Sequence, residues 1–370
     1  MSVNKLSTSS KKGMIKRIAT GFVLVCVCLP CTVLGNWPFF ILNAFLSVVA
    51  IHEILVTPGA KRYNWLVKGV TYFFILSFIY WVFIKNMLKD SANNPFVNGG
   101  IFTMNDIFIS ITGVIFYAFV LFLIAIFDSK VQLQDVTYLF TMGVFIALGF
   151  MAIFYIRYFP NSSGLTQNPN YAMVEIETSW SNSVLLKDYF SSYYIGHNLN
   201  QNFASCILVF FICIGTWAGD VGAYFFGMLF GKHRMNPRIS PHKTWEGFIG
   251  GAIFGTAASL AIAAIFEFCF NMPLVPGILQ FSYSPALKAM GILDGQAWLF
   301  LVIAALMLPF VGNLGGFLFS LIKRQYGIKD FGKLFPGHGG VIDRFDSILT
   351  NSLAITILIW ITAYGWQFTV

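Results

Sequence analysis

Charge is what this chain has least of. Asp, Glu, Lys and Arg make up 10% of its 370 residues, against about a quarter in soluble domains. Acidic residues are the scarcer sign, 15 against 23 Lys and Arg, for a net charge of +8. That excess does not gather into a basic domain. It is split among short segments between apolar runs, and no DNA-binding motif accompanies it, which excludes nucleic acid as a partner. Paired cysteines are lacking too. Cys26, Cys28, Cys31, Cys206, Cys213 and Cys269 all fall in apolar runs, where a thiol behaves as a small hydrophobe. No His or acidic residue stands near the first three to complete a metal site, and no disulfide framework is implied.

What the chain does have is length of apolar sequence, 57% hydrophobic with 41 Phe. Runs of about 20 apolar residues are long enough to cross a bilayer. The expected fold is an all-α polytopic membrane protein with about nine transmembrane helices. The spans fall near 18–34, 38–56, 69–84, 107–127, 136–158, 204–226, 247–270, 298–319 and 348–364. Residues 1–15 read as a polar tail, 16–203 as five helices ending in a long outside loop (159–203), and 204–370 as the region bearing the chemistry. Nine spans with the N-terminus inside and the C-terminus outside put eighteen of the 23 Lys and Arg on the inner side, as the positive-inside rule requires. The basic start at Lys16 and Arg17 lacks a convincing cleavage site after its apolar run and is read as a retained span.

One stretch breaks the apolar pattern. Residues 320–346, SLIKRQYGIKDFGKLFPGHGGVIDRFD, hold Lys323, Arg324, Lys329, Asp330, Lys333, His338, Asp343, Arg344 and Asp346. Asp343 and Asp346 are three apart, so on a helix they share one face and suit a divalent cation that keeps most of its water. Lys323 and Arg324 offer fixed positive charge to phosphate oxygens. Gly339 and Gly340 would let backbone amides approach an anion. His338 suits a general acid, a phosphate ligand or a structural hydrogen bonder. The parts point to phosphate chemistry.

Two further polar clusters precede it. In 231–246, Ser240-Pro241 favours a turn, and Lys243 with Thr244 leads into a helix whose start is a ready anion site; the bland alternative is an ordinary basic loop. Asp220 lies within the sixth span, where an ionisable group is costly unless it faces a cavity or partner. Glu53 sits near the inner end of the second span and reads as interfacial rather than catalytic. His197 and His233 carry no supporting pattern.

Together these residues resemble a known family. Ser320-x-x-Lys323-Arg324, Lys329-Asp330 and Pro336-Gly337-His338-Gly339-Gly340-x-x-Asp343-Arg344-x-Asp346 are similar to the signature of the phosphatidate cytidylyltransferases, or CDP-diacylglycerol synthases. Ser240-Pro241-x-Lys243-Thr244-x-Glu246-Gly247 and Asp220-x-x-Ala223-Tyr224 resemble two more family blocks in the same order. The resemblance covers about 204–350. Where many bacterial members carry a metal-binding Asp, this chain has Gly316, as eukaryotic-type members do.

The resemblance implies Mg²⁺-dependent transfer of CMP from CTP to phosphatidic acid at the inner membrane face, with room for a second cation. It assigns catalysis to Lys323, Arg324, His338, Asp343 and Asp346. Substrate binding falls to Ser240, Lys243, Thr244, Ser320, Lys329, Gly339 and Gly340, and metal binding to Asp343, Asp346 and Asp220. The expected partners are CTP, phosphatidic acid and membrane lipids, with a homodimer as one arrangement open to the chain. The expected setting is a bacterial cell membrane with the site facing the cytoplasm. Competing readings are an anion transporter, an enzyme of another lipid phosphate or polyprenol, and an inactive scaffold.

Overall fold

The computed structural model describes residues 8–89, 104–158, 201–269, 274, 292–337 and 339–364. The expected outside loop lies outside the described residues as far as position 200, and so does His338. The described residues form nine α-helices: α1 (Thr8–Leu34), α2 (Asn36–Val56), α3 (Trp65–Lys89), α4 (Met104–Phe127), α5 (Leu133–Tyr158), α6 (Gln201–Phe230), α7 (Trp245–Ala264), α8 (Ile292–Gln325) and α9 (Ile342–Tyr364). Stretches within α2, α4, α5, α6, α7 and α8 are long and apolar enough to cross a bilayer, six where the sequence suggests nine. α1 and α3 add shorter apolar stretches, Thr20–Leu34 and Trp65–Trp81. The chain is an all-α polytopic membrane protein.

Burial sorts the helices. The apolar stretch of α5 is 67% buried and that of α4 only 17%, so α5 is central and α4 peripheral. α5 packs against α2, α3, α4, α6 and α9. Its Met142, Ile146 and Phe150 join Ile51, Ile54 and Leu349 in one core. α4 instead turns Phe119, Phe122 and Ile126 outward, an apolar surface suited to hydrocarbon.

A second core joins α6, α7, α8 and α9. α6 and α7 make the most intimate contact, through glycines spaced by four. A Cβ on Gly251 would lie 2.6 Å from the Gly219 carbonyl, and one on Gly255 2.7 Å from that of Gly215. Apolar side chains gain little by leaving lipid for a helix interface, so membrane helices associate through such close backbone packing. In α8, Pro309 lacks the amide that would pair the Ala305 carbonyl. Thr256 of α7 donates to that carbonyl at 3.2 Å instead. Ser259 likewise ties α7 to the Phe211 carbonyl of α6 at 3.0 Å.

One feature departs from the expected helices and loops. β1 (Arg234–Asn236) and β2 (Ser240–Thr244) form an antiparallel hairpin between α6 and α7, pairing Arg234 with Thr244 and Asn236 with Ser240. Pro237 sits in its turn and Pro241 in β2, which a strand tolerates where its missing amide is not needed for pairing.

Candidate active site

The last turn of α8, the loop that follows and the first turn of α9 form one cross-braced unit. Lys323 donates to Asp343 Oδ1 at 2.9 Å, and both side chains are largely buried. Asp343 Oδ2 accepts from the Phe331 amide at 2.7 Å and the Gly340 amide at 3.0 Å. Asp343 thus closes the loop onto the start of its own helix, where the exposed amides and macrodipole favour an anion. Between these points the chain doubles back, with Phe335 and Gly339 exchanging both backbone hydrogen bonds. Gly339 has φ +92°, and a Cβ there would meet Asp343, so both its conformation and its space favour glycine.

A carboxylate from elsewhere in the chain completes the brace. Glu53 of α2 is buried, and its two oxygens accept from the Val341 amide at 2.8 Å and the Ile342 amide at 2.9 Å. Gly332 and Gly340 leave the room for it, since a Cβ on either would collide with its carboxyl. Glu53 caps α9 from a different helix. The sequence placed it at an interface and gave no signal of this role, because its partners are backbone amides 288 and 289 residues away.

The three polar clusters converge. Arg324 Nε donates to the Ile239 carbonyl in the hairpin turn at 3.3 Å, joining the end of α8 to the 231–246 segment. Lys243 Nζ reaches back to Asn313 Oδ1 of α8 at 2.9 Å and stands 4.5 Å over the Phe317 ring. The same ammonium lies 3.1 Å from where a Cβ on Gly316 would be, so a cation occupies the space beside the glycine that departs from the bacterial pattern. Thr244 caps α7 by accepting from the Gly247 amide at 3.2 Å. Glu246 holds the chain entering the hairpin, accepting from the amides of Lys232 and His233.

These pieces wall a cavity of about 270 Å³ between α6, α7, α8 and the hairpin, with Asp220, Lys243, Thr244, Asn313 and Ser347 among its lining. Asp346 stands beside it. Its Oδ1 accepts from the Ser347 amide at 2.7 Å and from the Ser347 hydroxyl at 3.3 Å. Its charge acts on both Lys243 and Asp220. Burial draws the Lys243 ammonium below the ordinary lysine pKa, aided by nearby Lys323 and opposed by Asp346 and Asp220. Among the described residues Asp346 Oδ2 accepts no hydrogen bond, and Asp220 makes none.

The expected site residues therefore separate. Asp220, Lys243 and Thr244 line the cavity, with Asp346 next to it. Asp343, Lys323 and Gly340 form the brace, with Gly339 at its turn. Ser240 and Ser320 are half-buried on β2 and α8. Lys329 is exposed on the loop and is not part of the cavity wall. Asn313 and Ser347 line the cavity without having been expected. A neutral Asn or Ser in an apolar helix looks like any packed polar residue until its neighbours are known.

Among the described residues no three His, Cys, Asp or Glu side chains converge as a metal cage. The carboxylates of Asp220 and Asp346, each with open oxygens, still fit a magnesium ion, which binds through one or two carboxylates with water and substrate phosphate supplying the rest.

Comparison with known proteins gives the family of the chain. The model of the cytidylyltransferase family matches residues 15–362. A phosphatidate cytidylyltransferase of Bacillus subtilis is 36% identical over 141 residues, 38% of this chain and 43% of that one. One from Staphylococcus saprophyticus is 36% identical over 151 residues (41% and 48%), and one from Mycobacterium leprae 37% over 145 (39% and 38%). Each alignment spans less than half of the relative's length.

Proposed function

Because the chain belongs to the cytidylyltransferase family, we propose that it transfers CMP from CTP to phosphatidic acid, giving CDP-diacylglycerol and pyrophosphate. A phosphatidate oxygen attacks the α-phosphorus of CTP. One P–O bond forms to the lipid phosphate, and the bond to the β-phosphate breaks with its electrons leaving on pyrophosphate. The nucleophile is already an anion, so little proton transfer is required. The task is to hold two polyanions in line and to balance charge gathering on the leaving group.

The observation that carries this reading is the cavity lined by Lys243, Asn313 and Asp220, with Asp346 beside it, the four drawn from separate segments. Lys243 is a cation held in a partly buried place, where its attraction for phosphate is weakly screened. Asp220 and Asp346 would hold Mg²⁺, which when bound neutralises triphosphate oxygens. Asp343 and Lys323 are each other's partners, which supports a positioning role for both. Arg324, tied to the hairpin, keeps the two basic segments in register. The nine-span topology, with the N-terminus on the side of the site and that side facing the cytoplasm of a bacterial membrane, is part of the same proposal. It rests on the distribution of Lys and Arg.

The test is incorporation of labelled CTP into lipid by purified protein, with phosphatidic acid and Mg²⁺ each present or omitted. A lipid product that needs both is the expected result. Product with a different lipid phosphate would reassign the substrate, and no product from folded, lipid-supplied protein would make the chain an inactive relative.

A further inference from the structure

A second and larger cavity, of about 370 Å³, lies within the helix bundle. Its walls come from α1, α2, α5, α6 and α9 and are mostly apolar, as Leu24, Leu46, Ile153 and Val209 illustrate. Among the described residues one full charge lines it: Arg344, on the first turn of α9. An apolar intramembrane chamber with a guanidinium at one end is the shape and charge of an anionic lipid with its chain inserted.

Its position relative to the polar cavity is specific. α6 and α9 form a wall between the two. α6 turns Thr216 and Asp220 toward the polar cavity and Cys213 and Trp217 toward the apolar one. α9 turns Ser347 to the first and Arg344, Phe345 and Ile348 to the second. Arg344 is also near enough for its charge to act on Asp220. A phosphate held by Arg344 would therefore stand at the edge of the polar cavity while its hydrocarbon stays on the other side of the wall.

We propose that the α1–α2–α5–α6–α9 cavity is the acyl-chain site of the lipid substrate, with Arg344 receiving the phosphate of phosphatidic acid. This rests on the reaction proposed above and adds where its lipid lies and which residue meets the headgroup. The chain enters beside α1, so the first helix belongs to the substrate site although the family signature lies wholly in the second half.

The test uses the full-length protein in vesicles containing a few mole per cent of phosphatidic acid that carries a photoactivatable diazirine midway along one chain. Matched vesicles carry the same group on phosphatidylcholine. After irradiation, adducts are mapped by mass spectrometry. The expected result is phosphatidic-acid-selective labelling of Leu24–Thr32 in α1 and Val209–Cys213 in α6, reduced in Arg344→Gln. Equal labelling by both lipids, or adducts confined to outward faces such as α4, would overturn the proposal. Labelling does not depend on turnover. Selective adducts without CMP transfer would thus keep the lipid site and reject the reaction, and transfer with adducts elsewhere would do the reverse. A second variant, Val209→Trp, fills the chamber without touching the headgroup. It should lower kcat/KM for dioleoyl phosphatidic acid at least about tenfold relative to the dihexanoyl form, the discrimination that loss of room for a methylene or two produces. An equal effect on both chain lengths would overturn the assignment.

Discussion

Replacing Glu53 tests whether the signature loop is held from outside the signature. Glu53 accepts from the amides of Val341 and Ile342 at 2.8 and 2.9 Å inside the protein. Glu53→Ala leaves two buried donors without partners, at about 1–3 kcal/mol each, so a loss of about 2–6 kcal/mol. That is a large share of a total of about 5–15 kcal/mol. Glu53→Gln keeps one acceptor oxygen and sets an NH₂ against the other amide, so it should lose about half as much. The glycines supply an internal control. Gly340 has no positive φ, and its added Cβ would collide with the Glu53 carboxyl. Gly340→Ala should therefore be costly in the native background and much less so with Glu53→Ala, a coupling of about 1–3 kcal/mol. Thermal and denaturant unfolding of the four proteins in one detergent measures it, with CMP transfer recorded in parallel. If Glu53→Ala costs under about 0.5 kcal/mol, or if the two changes simply add, the brace described here does not exist.

Four other outcomes follow from the same geometry. Lys243→Ala should lower kcat/KM by about a hundredfold or more, the scale for losing one charge-stabilising group; unchanged kinetics would return the hairpin to an ordinary basic loop. A lysine whose pKa is lowered by burial loses its proton, and its grip on phosphate, as pH rises through that lowered value. The alkaline limb of kcat/KM should accordingly begin below the ordinary 10.5 and move upward in Lys243→Arg, and a limb that stays in place would remove Lys243 as its source. The same shift makes the cation oppose folding at neutral pH, an opposition that fades as pH rises through the lowered pKa. Asp346→Asn should abolish transfer with little change in melting temperature, whereas Asp343→Asn should lower the melting temperature as well, because two amides and Lys323 lean on it; the opposite pattern would exchange their roles. Gly251→Val drives a side chain into the Gly219 carbonyl and should cost about 1–3 kcal/mol as overpacking, checked by unfolding in detergent.

The sequence alone carried the broad fold. Apolar runs of bilayer length, separated by short charged segments, leave no stable alternative to helices in lipid, where every backbone group must be paired internally. It also marked the charged segments that the fold brings together, since lysine, arginine and paired carboxylates crowded into a chain so poor in charge stand out. The hairpin at 234–244 was hidden because Pro237 and Pro241 interrupt any strand-like alternation. What each charged residue does was decided by packing. Asp343 and Asp346 are equivalent on paper, three apart on one helix. Only the fold brings Lys323 and two amides onto the first and leaves an oxygen of the second open beside Lys243. Glu53 and Arg344 show the same limit. Their surroundings are assembled from helices distant in the chain, and the close helix contacts that assemble them depend on which glycine faces which carbonyl, a property no single segment contains.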